Sequence, residues 1–314
     1  MIRIYYKDGH NIRRETDVRE IAHVQNVIWV DLHSPSQEEE EWIETKCDIS
    51  FQTPQEIIEI ESSARFFEQN NTLYANSNFL RVDGEDLNTY PISFILSKDR
   101  LYTYRTTDSK TFGDTVRKMK LGQELFNDGA DVLLMLLETR IETDADVIEA
   151  FSRDISAISR EMSKEQKAEQ DVLLRINTLM DNTMMLRETI IDKQRVQSAM
   201  LRSSFFPEDR KERLRIILKD IGSLLEYSAF NFERLEYLQN TFMGLINLEQ
   251  NQIIKIFTVV TIVFMPPTLI AGIFGMNYTS LPTSQWSFGF WSAILLMVCS
   301  SGGMIFYFRR KGWV

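Results

Sequence analysis

Short runs of alternating apolar and polar residues open the chain, and intervals of three and four govern most of the remainder. The stretches "IRIYY" and "VIWVDL" have the β-branched and aromatic character of strands. Phe66 to Arg105 continues it, with turn signals at Asn70-Asn71, Asp83-Gly84 and Lys98-Asp99, which predicts antiparallel hairpins. Between these, "SPSQEEEEWIETKC" predicts a helix with Ser34 as its cap and Pro35 in its first turn, and "TPQEIIEI" a second helix capped by Thr53. A third is predicted at "SKTFGDTVRKMK". Together they make a compact α/β domain over residues 1–125.

After Gly129 the spacing is helical with few interruptions. Residues 130–163 and 168–203 read as two long amphipathic helices broken at "SKEQKAEQ", the paired helices of a segment 126–207. Pro207, with Glu208 and Asp209 behind it, opens another helix. Its apolar series Leu218, Ile221, Leu225, Phe232, Leu235, Phe242 and Ile246 keeps heptad-like spacing, with Ser228 and Gln239 as polar exceptions. No strong breaker stands between Pro207 and Pro266. A helix over 208–273 would be about 100 Å long, with residues 208–255 as a stalk whose movement is passed on to the C-terminal end of the helix.

The C-terminal part of the chain is almost free of charge. Residues 256–274 are nineteen without a charged side chain, and 286–308 are twenty-three. A hydrocarbon core about 30 Å thick needs roughly 20 helical residues, so both runs are long enough to span it. Trp286, Trp291 and Trp313 fall where interfacial aromatics belong. Lys255 precedes the first run and Arg309, Arg310 and Lys311 come after the second, whereas the loop 275–285 carries no charge. The positive-inside bias therefore puts both termini and the basic tail 309–314 in the cytoplasm, with only the loop outside.

Charge sharpens this division. The chain of 314 residues carries a net −10, yet its last 64 hold four cations and no acid, which leaves the first 250 at −14. An acidic cytoplasmic part disfavours nucleic acid and attracts cations without defining a site. Cys47 and Cys299 are too far apart in sequence to suggest a metal motif or a disulfide framework, and His10, His23 and His33 are scattered. The N-terminal "MIRIYYKDGHNIRR" lacks a signal-peptide core. Phosphate-loop, dinucleotide-binding, zinc-protease and common hydrolase motifs are missing from the sequence, so an enzyme is not expected, and neither is a cofactor.

The candidate chemistry lies on one side of the first span. Asn251, Thr258, Thr261, Met265, Thr268 and Gly272 recur at intervals of seven, three, four, three and four, which confines them to a sector of about 100°. Such a stripe avoids lipid by facing either a water-filled path or a neighbouring helix. One stripe cannot enclose a path, so conduction requires several copies around an axis. Pro266 and Pro267 remove amide donors and predict a bend near Met265.

The stripe ends in Phe274-Gly275-Met276-Asn277, and beyond it come a short loop, a second span and a basic terminus. With "NQIIKIFT" and "FMPPTLIAGIFGMN", this region resembles the CorA family of magnesium and cobalt transporters, specifically over residues 247–314 and in layout over the rest. The resemblance implies a funnel-shaped homopentamer in a bacterial-type inner membrane, with five first spans around the pore. It makes Gly275, Met276 and Asn277 the selectivity filter, with the Asn277 amides holding a hydrated Mg²⁺ through its outer shell. Uncharged amides accept hydrogen bonds from water without trapping the ion. Asn251, Ile254, Thr258, Thr261, Thr268 and Gly272 become pore-lining positions, and Phe257 and Met265 apolar gates that close by dewetting. Met276 favours the magnesium and cobalt branch over the zinc branch. The implied function is passive transport of Mg²⁺, with Co²⁺ or Ni²⁺ admitted and Mg²⁺ a candidate regulator. A zinc or broader divalent carrier of the same architecture is the alternative, and a membrane-anchored coiled-coil scaffold a remote one. Two departures stand out. Thr279 and Thr283 lie in the outer loop where many relatives have acids, and Arg215 to Asp220 has Ile216 and Lys219 in place of the acids linked to regulatory Mg²⁺.

Overall fold

The computed structural model describes residues 1–22, 24–52, 56–57, 65–83, 86–165, 170–276 and 288–313. The chain divides into two compact units, Met1–Glu161 with Asp171–Leu238, and Met162–Gln170 with Gln239–Val314. The first is built on a seven-stranded mixed sheet in the order β2-β1-β3-β7-β6-β5-β4. Its strands are β1 (Ile2–Asp8), β2 (Asn11–Glu15), β3 (Val27–His33), β4 (Phe66–Gln69), β5 (Thr72–Asp83), β6 (Asp86–Ser97) and β7 (Arg100–Arg105). Only β3 and β7 run parallel; every other neighbouring pair is antiparallel. β1, β3 and the strands of 66–105 stand where the pattern predicts them, whereas β2 is not predicted by it, and Asn70, Asn71 and Lys98 adopt the positive φ that tight hairpin turns require. Gly84, at the third predicted turn, lies outside the described residues.

Alternation along the strands gives the sheet two apolar faces. Ile4, Val30, Tyr74, Ile95 and Tyr102 share one cluster with Ile43 of helix α1 (Gln37–Cys47). Tyr5, Trp29, Leu73, Phe94 and Leu101 point into the larger cluster on the other face. Covering that face are helices α2 (Lys110–Leu121), α3 (Gly129–Glu165) and α4 (Gln170–Arg202), with the first turns of α5 (Lys211–Phe274). Gly129 opens α3 against the end of the β6–β7 hairpin, donating to Asp99 O at 2.7 Å; a Cβ there would lie 2.2 Å from Leu101 N.

Two helix starts differ from expectation. Ser34 has φ 43° and spends its hydroxyl on Thr106 O, while Ser36 caps α1 in a reciprocal box with Glu39. Starting at Gln37 keeps Glu38, Glu39 and Glu40 together in the first turn, where the helix dipole favours acids. Pro207 likewise does not open the helix, because a 3₁₀ turn, Glu208–Arg210, precedes Lys211. Thr53 lies outside the described residues, although Glu56 and Ile57 are helical.

Within the first unit, the buried seam of α5 is Leu214, Ile217, Ile221, Leu224, Ser228, Asn231, Leu235 and Leu238, spaced three and four throughout. Leu218, Leu225 and Phe232, which the apolar pattern places in the seam, are only half-buried beside it. At those three positions the seam takes Ile217, Leu224 and Asn231 instead, and the Asn231 amide donates to Ile148 O at 3.3 Å. Arg234 adds hydrogen bonds to the Ser152 and Ser156 hydroxyls of α3.

Between α3, α4 and the sheet lies a charged cluster. Asp144, Arg140 and Lys193 are each at least 98% buried. Arg140 Nε donates to Asp144 Oδ1 at 2.9 Å, and Lys193 Nζ stands 3.0 Å from Asp144 Oδ2. Burial would raise the Asp144 pKa, but the Lys193 and Arg140 charges outweigh it and hold the carboxyl below its ordinary value. Burial pushes Lys193 down to about 8. Both cations flank the Phe79 ring, with Arg140 Cζ 5.0 Å and Lys193 Nζ 5.8 Å from its centroid.

In the second unit the membrane-length part of α5 leads to α6 (Gly289–Arg310). α5 remains helical through Pro266 and Pro267. Val259, Ile262, Val263, Pro266, Pro267 and Ile270 are half-buried and form one face. Onto that face α6 places Ser301, whose hydroxyl donates to Val263 O at 3.3 Å. At its far end α6 closes with Gly312 at φ 68°, Gly312 N donating to Arg309 O and Trp313 N to Phe308 O, the pattern of a Schellman turn. Trp313 stacks on Phe308 at 5.7 Å, and Lys255 Nζ sits 5.9 Å from the indole centroid and 3.4 Å from Gly312 O.

Candidate functional site

The side of α5 turned away from Val263 carries the polar stripe. Thr261, Met265, Thr268, Gly272 and Met276 line one open groove of about 660 Å³ together with Phe264, Leu269 and Ile273. Asn251, Ile254, Phe257 and Thr258 stand outside that groove, nearer the start of the span. All except Thr258, which is half-buried, are exposed. Gly275 N donates to Ala271 O at 2.8 Å as the last regular turn, and Met276 N closes onto Ile273 O at 3.3 Å. Asn277 and the loop with Thr279 and Thr283 lie outside the described residues.

The hydroxyls in the stripe have a uniform arrangement. Thr258 donates to Ile254 O, Thr261 to Phe257 O and Thr268 to Phe264 O, each at 2.8 Å. A threonine hydroxyl has one proton and two lone pairs, so each side chain spends its only donor on its own helix. What remains on the groove side is an acceptor. Water around Mg²⁺ turns its oxygen to the ion and its hydrogens outward, and Mg²⁺ dehydrates reluctantly, so a hydrated ion meets its surroundings as a donor. Along the groove the face therefore offers uncharged oxygens at Thr261 and Thr268 and flexible apolar bulk at Met265.

The position nearest the expected regulatory acids differs in kind. Asp220 shares a groove of about 410 Å³ with Glu138 and Glu142. Two of these three carboxylates already have cations, Glu138 bonded to Arg213 at 3.0 Å and Glu142 to Lys118 at 2.5 Å. Among the described residues, no group of three or more His, Cys, Asp or Glu could hold a metal ion.

A family model for CorA-like Mg²⁺ transporter proteins matches residues 24–310, nearly the whole chain. The chain is a member of the CorA family. Its similarity to curated CorA sequences is spread over full lengths: it is 34% identical to the magnesium transport protein CorA of Wolinella succinogenes, with 100% of both chains covered. With the same-named protein of Sodalis glossinidius the identity is 36%, again over 100% of each. The solved CorA magnesium transporter of Methanocaldococcus jannaschii shares the fold, with a TM-score of 0.85 at 20% identity over 100% of this chain and 99% of that one. CorA membership accounts for the mixed α/β domain, the long stalk and the two apolar C-terminal helices.

Sequence reasoning places the stripe but misses two features behind it. Ser301 is one, and a signal for it exists: two prolines in a membrane helix free two carbonyls, which a hydroxyl on the neighbouring helix can satisfy. Trp313 is the other. Its sequence position shows only an interfacial aromatic, because its return onto Phe308 depends on the left-handed turn at Gly312.

Proposed function

We propose that this chain is one subunit of a passive divalent-cation channel whose cargo is hydrated Mg²⁺, with Co²⁺ and Ni²⁺ admitted by the same chemistry. Several copies, five by the family's pattern, surround an axis with the stripe of α5 facing it. Gly275, Met276 and Asn277 form the outer filter, Asn251, Ile254, Thr258, Thr261, Thr268 and Gly272 line the path below it, and Phe257 and Met265 are the apolar constrictions. The observation that carries this reading is the acceptor-only arrangement of Thr258, Thr261 and Thr268 on one face of a membrane-length helix.

No coupled energy source is required. A membrane potential contributes about 2.3 kcal/mol per elementary charge per 100 mV, and twice that for a divalent ion moving inward. Purified protein in liposomes should pass Mg²⁺ under an inside-negative potential, and Asn277→Ala should abolish the preference for Mg²⁺ over Zn²⁺ while leaving the assembly intact. Wild-type liposomes that hold a Mg²⁺ gradient unchanged would overturn conduction; equal selectivity in Asn277→Ala would overturn the filter.

A further inference from the structure

Pro267 has no amide proton, so the carbonyl four residues earlier, Val263 O, cannot receive its helical hydrogen bond. Pro266 does the same to Ile262 O. In hydrocarbon no water replaces such a donor, and an unsatisfied carbonyl is costly. Three serines are carried on α6. Ser292 donates to Gly289 O and Ser300 to Met297 O, both at 2.8 Å and both within α6 itself. Ser301 alone among them reaches across, to Val263 O at 3.3 Å. The carbonyl it reaches is the one that Pro267 deprives.

We propose that Ser301 is a positioning residue of the ion path: its hydroxyl replaces the donor that Pro267 removes and fixes the joint in α5 between Thr261 and Thr268. The joint divides the stripe. Thr261 lies before it, and Met265, Thr268, Gly272 and Met276 lie at or beyond it. Two missing rungs leave the helix free to swivel there, and any swivel would turn the outer oxygens out of line with Thr261. A hydrogen bond from α6 restricts that freedom from the side opposite the groove, without a side chain in the path. Ser301 never touches the ion, and it acts only through the Val263 carbonyl.

This inference rests on the conduction reading for its consequence but not for its test. Four full-length proteins decide it: wild type, Ser301→Ala, Pro267→Ala and the double variant, each measured for Mg²⁺ flux in liposomes and for the thermal midpoint of the assembled protein. In the wild-type background Ser301→Ala should lower the midpoint and change flux by about threefold, the scale of one interhelical hydrogen bond in a membrane. Ser301→Thr, which keeps the hydroxyl, should restore both. With Ala at 267 the backbone supplies its own donor to Val263 O, and Ser301→Ala should then be silent. Equal effects in both backgrounds would mean that Ser301 only fills space and would overturn the proposal, as would no effect in the first. If Pro267→Ala fails to assemble, an ester in place of the 263–264 peptide bond weakens the acceptor instead, and Ser301→Ala must be silent there. Absence of flux in wild type with an intact midpoint cycle would sink conduction and leave the hydrogen bond standing.

Discussion

Thr268 shows how little chemistry the proposed uncharged path would need: its proton is bonded to Phe264 O, and its oxygen, with two lone pairs, lines the groove. Thr268→Val preserves the shape and deletes the acceptor, so Mg²⁺ flux should fall about tenfold, whereas Thr268→Ser should retain most of it. Liposome flux with both variants checks this, and equal loss in the two would point to packing. Asp144 makes a different kind of demand, since Arg140 and Lys193 are buried against it. Asp144→Asn should destabilise the cytoplasmic unit by about 3–5 kcal/mol, because two buried cations lose their counter-charge. The folded carboxyl has a pKa below its unfolded value, so its contribution is complete above about pH 3.9 and drains away as the pH falls through the folded value. Thermal melts of wild type across acid pH should show that loss, and Asp144→Asn should show a shallower slope over the same window. Single residues are unevenly legible in the sequence. The stripe can be read because membrane helices tolerate polar groups only on a protected face. The choice of Ser36 over Ser34 cannot, since both precede a Glu or Gln by three and only the backbone decides between them.

Elements are easier to read than their edges. Hairpins announce themselves through Asn70-Asn71 and Lys98-Asp99, where few residue types accept the left-handed backbone. Long helices announce themselves through period, but period alone places the α5 seam beside its true line. Apolarity draws attention to Leu218, Leu225 and Phe232, and the fold instead buries their neighbours Ile217, Leu224 and Asn231, the last bonded to α3. One close contact between sheet and helices is invisible in the pattern. Gly129 sits so close to the β7 backbone that a methyl group cannot be added without moving a strand. Gly129→Ala should cost about 1–3 kcal/mol, read as a drop in the unfolding midpoint. A loss within about 0.5 kcal/mol would show that the hairpin end yields freely.

At the scale of the molecule, the chain separates its chemistry by region. Acid is gathered in the first 250 residues and the last 64 carry only cations. If the proposed ring is correct, light scattering of the detergent-purified protein should give a protein mass near five chains, and a monomer at working concentration would rule the ring out. Such an assembly would also tell anions from cations without a single fixed charge on its wall. Around chloride or sulfate, each water turns one hydrogen inward, so half of its donors are spent on the ion and its oxygen faces out, asking the surface for protons. Thr258, Thr261 and Thr268 have none to give, having committed theirs to Ile254, Phe257 and Phe264. A bias against negative solutes would therefore be written into the direction of three hydroxyl bonds, and would persist in high salt, where electrostatic filters fade.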